Sequence, residues 1–186
     1  MNDQSTQPGS AYFLADGHAP EESHTLSIVV DNEPGVLARV IGLFSGRGYN
    51  IESLTVSETE HEAHVSRITV QTSGTAMVLE QIKSQLERMV PVHSVADLTV
   101  QGDAIERELA LIKVAGDGED RVEALRLADA FRARVVDATH NSFVFELTGK
   151  TRKVDQFITL MQPLGLIEVV RTGIAAISRG PESMKI

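Results

Sequence analysis

Apolar and polar residues follow two periods along this chain, and together the periods predict one order of elements that occurs twice. The first alternation has a period of two residues, typical of a strand, and its apolar positions are Leu26, Ile28 and Val30. After the turn at 31–35 the spacing becomes helical, with one apolar stripe formed by Val36, Leu37, Val40, Ile41 and Phe44. Gly46 and Gly48 follow the stripe and indicate where this helix stops.

Two more strands, a second helix and a fourth strand complete the first round. The two strands are predicted in IESLTVS and VSRITVQT, which the polar stretch ETEHEAH separates. The second helix places four apolar residues on one side: Leu79, Ile82, Leu86 and Met89. The fourth strand follows Pro91, in VHSVADLTV. The predicted order is therefore strand, helix, strand, strand, helix, strand.

The second round repeats this order, beginning with the strand RELALIKVA. The turn GDGED precedes a helix whose apolar positions are Val122, Ala124, Leu125, Ala128 and Phe131. The strands ARVVDATH and SFVFELTG follow, with Asn141 and Ser142 as a short hairpin turn between them. The last helix carries apolar residues at i, i+3, i+4 and i+7, which are Val154, Phe157, Ile158 and Met161. A final strand is predicted in IEVVRTGIAAIS.

Two βαββαβ units are the pattern expected for two ferredoxin-like modules, so we predict an α+β protein. We assign residues 1–23 to a flexible leader, 24–100 to the first module, 104–180 to the second module and 181–186 to a tail. Each module should have an antiparallel sheet with helices on one face. The other face should be rich in Ser, Thr and small apolar residues, so it has to contact something or stay hydrated.

Charge and composition narrow the classes of function. The chain has 17 basic and 26 acidic residues, a net charge of −9, which disfavours binding to nucleic acid or to an anionic membrane surface. It contains no cysteine, which excludes disulfides and thiolate sites. It also has no apolar run approaching the roughly 18 residues of a membrane span, and its N-terminus lacks the basic start and apolar stretch of a secretory signal. These features favour a cytoplasmic protein.

Three short motifs resemble known sites but lack an essential part. The sequence Gly149-Lys150-Thr151 lacks the earlier glycine of a phosphate-binding loop, because position 144 is Val, and it is better explained as a strand-to-helix turn. The segment 116–118 lacks the third glycine of a dinucleotide loop. His61 and His64 are spaced i, i+3 in a polar loop, not i, i+4 on an apolar helix, so no metal site is predicted. No catalytic constellation emerges from the sequence.

One turn has both a structural and a functional interpretation. The segment DNEPGVL, residues 31–37, has a complete structural explanation. An Asn or Asp caps the helix, a Pro lies in its first turn and a Gly permits a tight turn. The same turn presents unpaired helix amides and the positive end of the helix dipole, which suit a small carboxylate. Gly35 leaves the backbone accessible, and Asn32 offers both a donor and an acceptor to an amino acid.

This turn, after a first strand and inside a βαββαβ unit, resembles that of an ACT domain, a regulatory module of amino-acid metabolism. The stretch RVIGLFSGRGYNIESLTV resembles in particular the small subunits of acetohydroxyacid (acetolactate) synthase. The segments SRITVQT, VLEQIKSQLERMVPV, RELALIKV and GIAAISRG resemble the same family, and the resemblance extends from Thr25 to Gly180.

The resemblance implies a non-catalytic regulatory subunit that forms homodimers through its ACT domains and binds valine, or another branched-chain amino acid, between them. It also implies that the subunit activates a separate catalytic subunit and confers feedback inhibition on it. Thiamine diphosphate, Mg²⁺ and FAD are expected on the catalytic subunit and none on this chain. The effector residues implied are Asn32, Pro34, Gly35, Val36, Leu37, Asn50 and Ile51.

Two alternatives remain open at this point. The chain could be a free-standing ACT-type sensor of an amino acid that acts on another partner. Less favoured is an independent enzyme on a ferredoxin-like scaffold. The turn GDGED of the second module lacks the Asn, Pro and Gly arrangement, so no amino-acid site is predicted there. For docking of the catalytic subunit we expect the exposed sheet faces and the second strand, from Ile51 to Ser57.

Overall fold

The computed structural model of the chain describes residues 20–60, 64–102 and 104–184. Most of the predicted leader, His61 of the loop motif, Asp103 near the predicted module boundary and the last two residues lie outside this description. The first strand begins at Glu22, so it includes two residues that the sequence pattern placed in the leader.

The first module is a four-stranded antiparallel sheet in the order β2-β3-β1-β4, with two helices. Its elements are β1 Glu22–Asp31, α1 Val36–Arg47, β2 Ser53–Glu60, β3 Val65–Gly74, α2 Ala76–Leu86 and β4 Val92–Asp97. Strand β1 pairs with both β3 and β4, so it lies in the interior of the sheet, whereas β2 is at an edge.

The second module repeats this order, with β6-β7-β5-β8 as its sheet and a short strand, β9, paired with the first part of β5. Its elements are β5 Ile105–Ala115, α3 Gly118–Phe131, β6 Arg134–Ala138, β7 Ser142–Gly149, α4 Thr151–Met161, a 3₁₀ helix Gln162–Leu164, β8 Leu166–Arg171 and β9 Ala175–Ile177. The predicted fold class, α+β with two βαββαβ modules, is confirmed.

Each module has its own hydrophobic core between its sheet and its helices. In the first module alternate residues of β1 contact one side of α1 and α2, and the core contains Leu26, Ile28, Val30, Val40, Phe44, Ile82 and Leu86. In the second module β5, β7 and α4 supply Ile112, Val114, Phe145, Leu147, Val154, Phe157 and Met161. The period-two and helical patterns of the sequence therefore mark the buried faces correctly.

Helix α3 differs from the prediction. It buries Ala124 and Ala128, and Val122 and Leu125 are 58% and 40% exposed. The buried stripe is centred on Ala124, Ala128 and the partly buried Phe131. At about 100° per residue, Val122 lies on the opposite side of the helix and Leu125 about a quarter turn away. Small alanines at the contact positions let this helix approach the sheet closely, so its bulkier apolar residues are left outside.

The final predicted strand is interrupted, and Gly173 explains why. Its backbone has φ +85°, a left-handed conformation that ends β8 before β9 begins. A Cβ at this position would lie 2.9 Å from Ser53 Oγ and 3.1 Å from Thr55 Oγ1. Only glycine combines this φ with so close an approach. The interruption brings the second module against β2 of the first.

The adjoining residue, Ile174, links the two modules. Its amide donates to Ser53 Oγ at 2.8 Å, and its carbonyl accepts from Thr55 Oγ1 at 2.8 Å. We call these two hydrogen bonds the inter-module contact. A small apolar cluster extends it and contains Ala96, Leu98, Ile174 and Ala176, with Met184 packed against it.

The sheet face of the first module that points away from its helices is consequently covered in part by the chain's own C-terminal residues. Thr25 and Ser27, which lie on this face of β1, are buried. The covering residues are β9 and the segment 178–184, which we call the C-terminal segment. The Ser- and Thr-rich face expected from the sequence is therefore not a free docking surface around β1. Among the described residues, no helix is long and apolar enough to cross a membrane.

Candidate functional site

The turn between β1 and α1 is built differently from its simple structural interpretation. Helix α1 begins after Gly35, which is the N-cap residue with φ +87° and ψ −7° and has no side chain to cap the helix. Pro34 lies in the turn before the helix and not in its first helical turn. Asn32 is exposed and makes no capping hydrogen bond. The side-chain cap considered from the sequence is therefore absent from this turn.

Backbone amides of α1 remain available as a result. The amide of Arg39 donates to Gly35 O at 3.0 Å, the first regular bond of the helix, and the amide of Val36 donates to Glu33 O at 3.3 Å. Within the described ranges no acceptor binds the amides of Leu37 and Ala38. The first turn also has no acidic residue. Unpaired amides at the positive end of a helix dipole favour a carboxylate.

The space in front of this turn is open. A Cβ built on Gly35 would meet no atom within 4 Å. Leu37 is 37% exposed beside it, whereas Val36 is 3% exposed and packs in the core. Of these two implied effector residues, Leu37 therefore has exposed apolar surface that a ligand can contact. Val36 holds the helix start in place.

Backbone contacts fix the turn on the sheet. The amide of Asn32 donates to His64 O at 2.6 Å, and the amide of Asp31 donates to Pro91 O at 2.9 Å. The Asp31 carboxylate also lies 2.7 Å from His93 Nε2. The chain entering the turn is thereby tied to both neighbouring strands, and the side chain of Asn32 remains free to face a ligand.

Asn50 and Ile51 lie at the opposite end of the module from the turn. The carbonyl of Asn50 accepts from Thr72 Oγ1 at 2.6 Å, and Thr72 is opposite His24 in the register. His24 precedes Asp31 by seven residues of β1, which corresponds to roughly 23 Å along an extended strand. One chain therefore does not bring Asn32 and Asn50 together. Asn50 is exposed, and Ile51 is partly buried against the core.

Helix α1 runs between these two ends of the module, and strand β2 follows it in the chain. In the described part of the molecule, β2 pairs only with β3. Its outer edge is a row of unpaired backbone groups, which readily pairs with another strand.

The corresponding turn of the second module has different chemistry. Gly118, with φ +50°, follows the N-cap Asp117, and the first turn of α3 carries Glu119 and Asp120. These carboxylates occupy the positive end of the helix dipole and would repel an anionic ligand. Helix α1 differs, because its first turn has no acidic residue.

Two polar clusters were not foreseen from the sequence. Glu108, almost fully buried, binds Arg171 through two hydrogen bonds, and Arg171 also contacts Asp155 at 2.7 Å. The hydrogen bond to Glu108 raises the pKa of Arg171 above its usual value. This ion pair joins β5 to β8 and α4, so it stabilises the second module. An Arg and a Glu separated by 63 positions carry no local signal in the sequence.

The second cluster surrounds His24. Its Nδ1 lies 2.5 Å from Asp97 Oδ2 and its Nε2 lies 3.3 Å from Glu22 Oε2. Burial lowers the pKa of His24, but the hydrogen bonds and charges of Asp97 and Glu22 outweigh burial, and the pKa is raised. Among the described residues no group of three or more His, Asp or Glu side chains is arranged to hold a metal ion.

Comparison with protein families matches both modules. A family described as "AHAS small subunit-like ACT domain" matches residues 26–94, and one described as "Small subunit of acetolactate synthase" matches residues 107–180. The first match contains the turn at 31–37 and the segment around Asn50. The second extends from within β5 to beyond β9 and contains the glycine that interrupts the last strand.

Relatives of similar length match nearly the whole chain. The acetolactate synthase small subunit of Haemophilus influenzae is 46% identical over 160 residues, which are 86% of this chain and 97% of that protein. The acetolactate synthase isozyme 3 small subunit of Escherichia coli is 43% identical over 161 residues, 86% of this chain and 98% of that protein. The crystal structure of the acetolactate synthase small subunit from Thermotoga maritima has a TM-score of 0.78 at 37% identity and covers 87% of this chain and 99% of that one.

Proposed function

Because the chain belongs to the family of acetolactate synthase small subunits, we propose that it binds and activates the catalytic subunit of that enzyme and makes it sensitive to valine or another branched-chain amino acid. The reaction itself is assigned to the catalytic subunit, with its thiamine diphosphate, Mg²⁺ and FAD. We also propose that the complex is cytoplasmic. The observation that carries the proposal is the uncapped start of α1, next to an exposed Asn32 and an open space at Gly35.

The effector site is proposed to lie between two copies of this chain. One copy supplies the turn, with the amides of α1 for the carboxylate, Asn32 for a polar contact and Leu37 for the aliphatic side chain. The other copy supplies Asn50 and Ile51. The separation of the turn from Asn50 within one chain supports this arrangement, since neither end carries a complete set of partners for an amino acid.

Regulation follows from unequal binding to two states. The ligand must bind the inhibited arrangement of the dimer more tightly than the activating one, with a coupling free energy of about 1–3 kcal/mol in typical allosteric proteins. By linkage, association with the active catalytic subunit then weakens valine binding by the same factor. The choice among valine, leucine and isoleucine rests on the size of the apolar part, where one methylene contributes about 1–3 kcal/mol.

Isothermal titration with L-valine tests the site at the turn. The full-length chain should bind about one valine per chain, as a two-fold dimer with two shared sites requires. Gly35→Asp should abolish binding, because it places a carboxylate where the ligand carboxylate binds. Gly35→Asn is the matched control: it has nearly the same shape and the same positive φ, a conformation that Asn tolerates, but no charge. Loss of binding in both variants to the same extent would refute the carboxylate assignment.

Mixed dimers test the sharing of the site between two copies. Asn32→Ala and Asn50→Ala should each abolish binding alone. After the two folded variants are mixed and allowed to exchange subunits, each mixed dimer has one site with both substitutions and one intact site. Binding should therefore reappear, up to one valine per mixed dimer. If no binding reappears although mixed dimers form, the two residues do not share a site.

A pull-down with the catalytic subunit separates this function from that of a free-standing sensor. We expect the full-length chain to retain the catalytic subunit and to raise its turnover, and we expect valine to reduce that activation. A chain that binds valine but neither retains nor activates the catalytic subunit would be the free-standing sensor.

A further inference from the structure

A partly enclosed cavity lies between the first module and the C-terminal segment, away from the turn at Gly35. Its volume is about 250 Å³. The floor is the open face of the first sheet, at Ser27 and Arg67, and the roof is formed by the chain from Ile177 to Met184. The volume is several times the roughly 30 Å³ that one water molecule occupies in the liquid. We call this space the Arg67 cavity.

Two polar groups at the floor lack partners. Ser27 is fully buried, and its hydroxyl makes no hydrogen bond. The Nε of Arg67 is also buried without a hydrogen-bond partner. In the described part of the chain, none of the ion pairs includes Arg67. The arginine as a whole is partly buried. A buried donor without a partner is destabilising, and a partly buried guanidinium without an ion pair favours an anion beside it.

The two groups lie close enough to bind one ligand. Ser27 is opposite Thr69 in the register of β1 and β3, and Arg67 is two residues from Thr69 on the same strand. Ser27 and Arg67 are therefore diagonal neighbours on one sheet face, about 7–8 Å apart at the backbone, a distance that an arginine side chain spans. Water could satisfy the hydroxyl, whereas an anion would satisfy both groups and also supply a counter-charge to Arg67.

We propose that the Arg67 cavity binds a small carboxylate with an apolar body, held by Arg67 and Ser27. A carboxylate accepts from both groups at once, since each of its oxygens has two acceptor positions. Leu98, Ile177 and Met184 supply the apolar part of the wall. Glu182 also lines the cavity, and it would bind the ammonium group if the carboxylate belongs to an amino acid.

This site differs from the effector site of the proposed function in position and in construction. It needs one chain and lies between the first module and the C-terminal segment, whereas the effector site needs two chains and lies at the turn. A ligand here contacts the first module and the C-terminal segment together. Binding therefore stabilises the closed association of the two, by the linkage that applies to any ligand of one state alone.

Methyl NMR of the full-length chain tests the proposal, with isovalerate as the probe because it has the carboxylate and aliphatic body of valine but no ammonium group. We expect saturable shifts at Leu98, Ile177 and Met184. Arg67→Gln should weaken the response at least tenfold. Arg152→Gln, which removes an exposed arginine of α4 that does not line the cavity, should leave it unchanged.

Ser27→Ala separates binding from folding. It removes an unsatisfied buried hydroxyl, so the free protein should be at least as stable as the wild type, yet its affinity for isovalerate should fall. Asn32→Ala should keep the isovalerate response, which distinguishes failure at the turn from failure in the cavity. Absence of shifts at the three wall residues in wild type, or a response unaltered by Arg67→Gln in folded protein, would overturn the proposal.

Two further probes identify the source of the carboxylate. L-valine that perturbs the same methyl groups more tightly than isovalerate, with the advantage lost in Glu182→Gln, identifies an amino acid. Equal or weaker binding of L-valine identifies a carboxylate without an ammonium group. Inorganic phosphate at equal concentration should bind more weakly than isovalerate, and tighter binding of phosphate would overturn the assignment to carboxylates.

Discussion

Replacement of Gly173 by Ala should destabilise the protein by about 2–3.5 kcal/mol, and the structure separates this cost into parts. A non-glycine residue at a left-handed φ costs about 1–2 kcal/mol, offset by about 0.4–1 kcal/mol from the lower entropy of the unfolded chain. The new Cβ would lie 2.9 Å from Ser53 Oγ and 3.3 Å from Leu54 O. Relief of this overlap requires the inter-module contact to open, and its two hydrogen bonds contribute about 1 kcal/mol each.

Gly180→Ala is the matched control. Gly180 also has a positive φ, +91°, but a Cβ there would meet nothing within 4 Å. This variant therefore carries the conformational cost without the close approach, and we expect a loss of about 1 kcal/mol or less. The difference between the two variants, about 2 kcal/mol, measures what the close approach of the modules contributes.

Urea unfolding followed by circular dichroism measures both free energies, and hydrogen exchange reports where the damage lies. The amide of Ile174, which donates to Ser53 Oγ, should exchange much faster in Gly173→Ala and remain protected in Gly180→Ala. Equal destabilisation of the two variants, with the amide of Ile174 still protected in both, would refute the argument that Gly173 is required by the close approach.

Two further predictions concern ion pairs. The raised pKa of His24 means that its pairing with Asp97 and Glu22 adds about 1 kcal/mol of stability. This stability is fully present below pH 6.5, the usual pKa of histidine, and is lost as the pH rises through the raised pKa. Urea unfolding at pH 5.5 and 8.5 should show this difference in wild type but not in His24→Ala. Glu108→Gln should cost about 2 kcal/mol of stability, below the usual range for a broken buried pair because Arg171 is 34% exposed. Asp155→Asn, at the exposed partner of Arg171, should cost less than about 1 kcal/mol. Thermal unfolding compares the two variants, and equal losses would contradict the role given to burial.

The periodicity of the sequence predicts the modules and their cores because burial on one face of a strand or helix is a local property. Leu26, Ile28 and Val30 alternate in the sequence and lie together in the core. In helix α3, which departs from the prediction, apolar residues lie on more than one side of the helix. The sequence pattern alone does not decide which of these sides faces the sheet. Packing in the core of the second module selects the side with Ala124 and Ala128.

Contacts between distant parts of the chain are not predictable in this way. Glu108 and Arg171 pair across 63 positions, and Ser53 meets Ile174 across 121. One local signal was nevertheless available. A glycine inside a strand pattern often marks a bulge or the close approach of another backbone, and Gly173, which interrupts the last predicted strand, marks such an approach. For the candidate site, the sequence identifies the turn, but only the register of β1 and β3 shows how far Asn50 lies from it.

The position of Asn50 relates the proposed effector site to the contact between the modules. Asn50 precedes Ser53 by three residues, and Ser53 accepts the hydrogen bond from Ile174. In the proposed function, an amino acid bound by Asn50 between two copies acts on the segment that leads into β2. Any displacement of that segment changes the geometry of the inter-module contact, because the atoms around Gly173 are already packed too closely to admit a Cβ atom. A ligand at the dimer interface can therefore alter the placement of the second module without touching it, and a small shift at Asn50 is sufficient because packed contacts of this kind are either formed or broken.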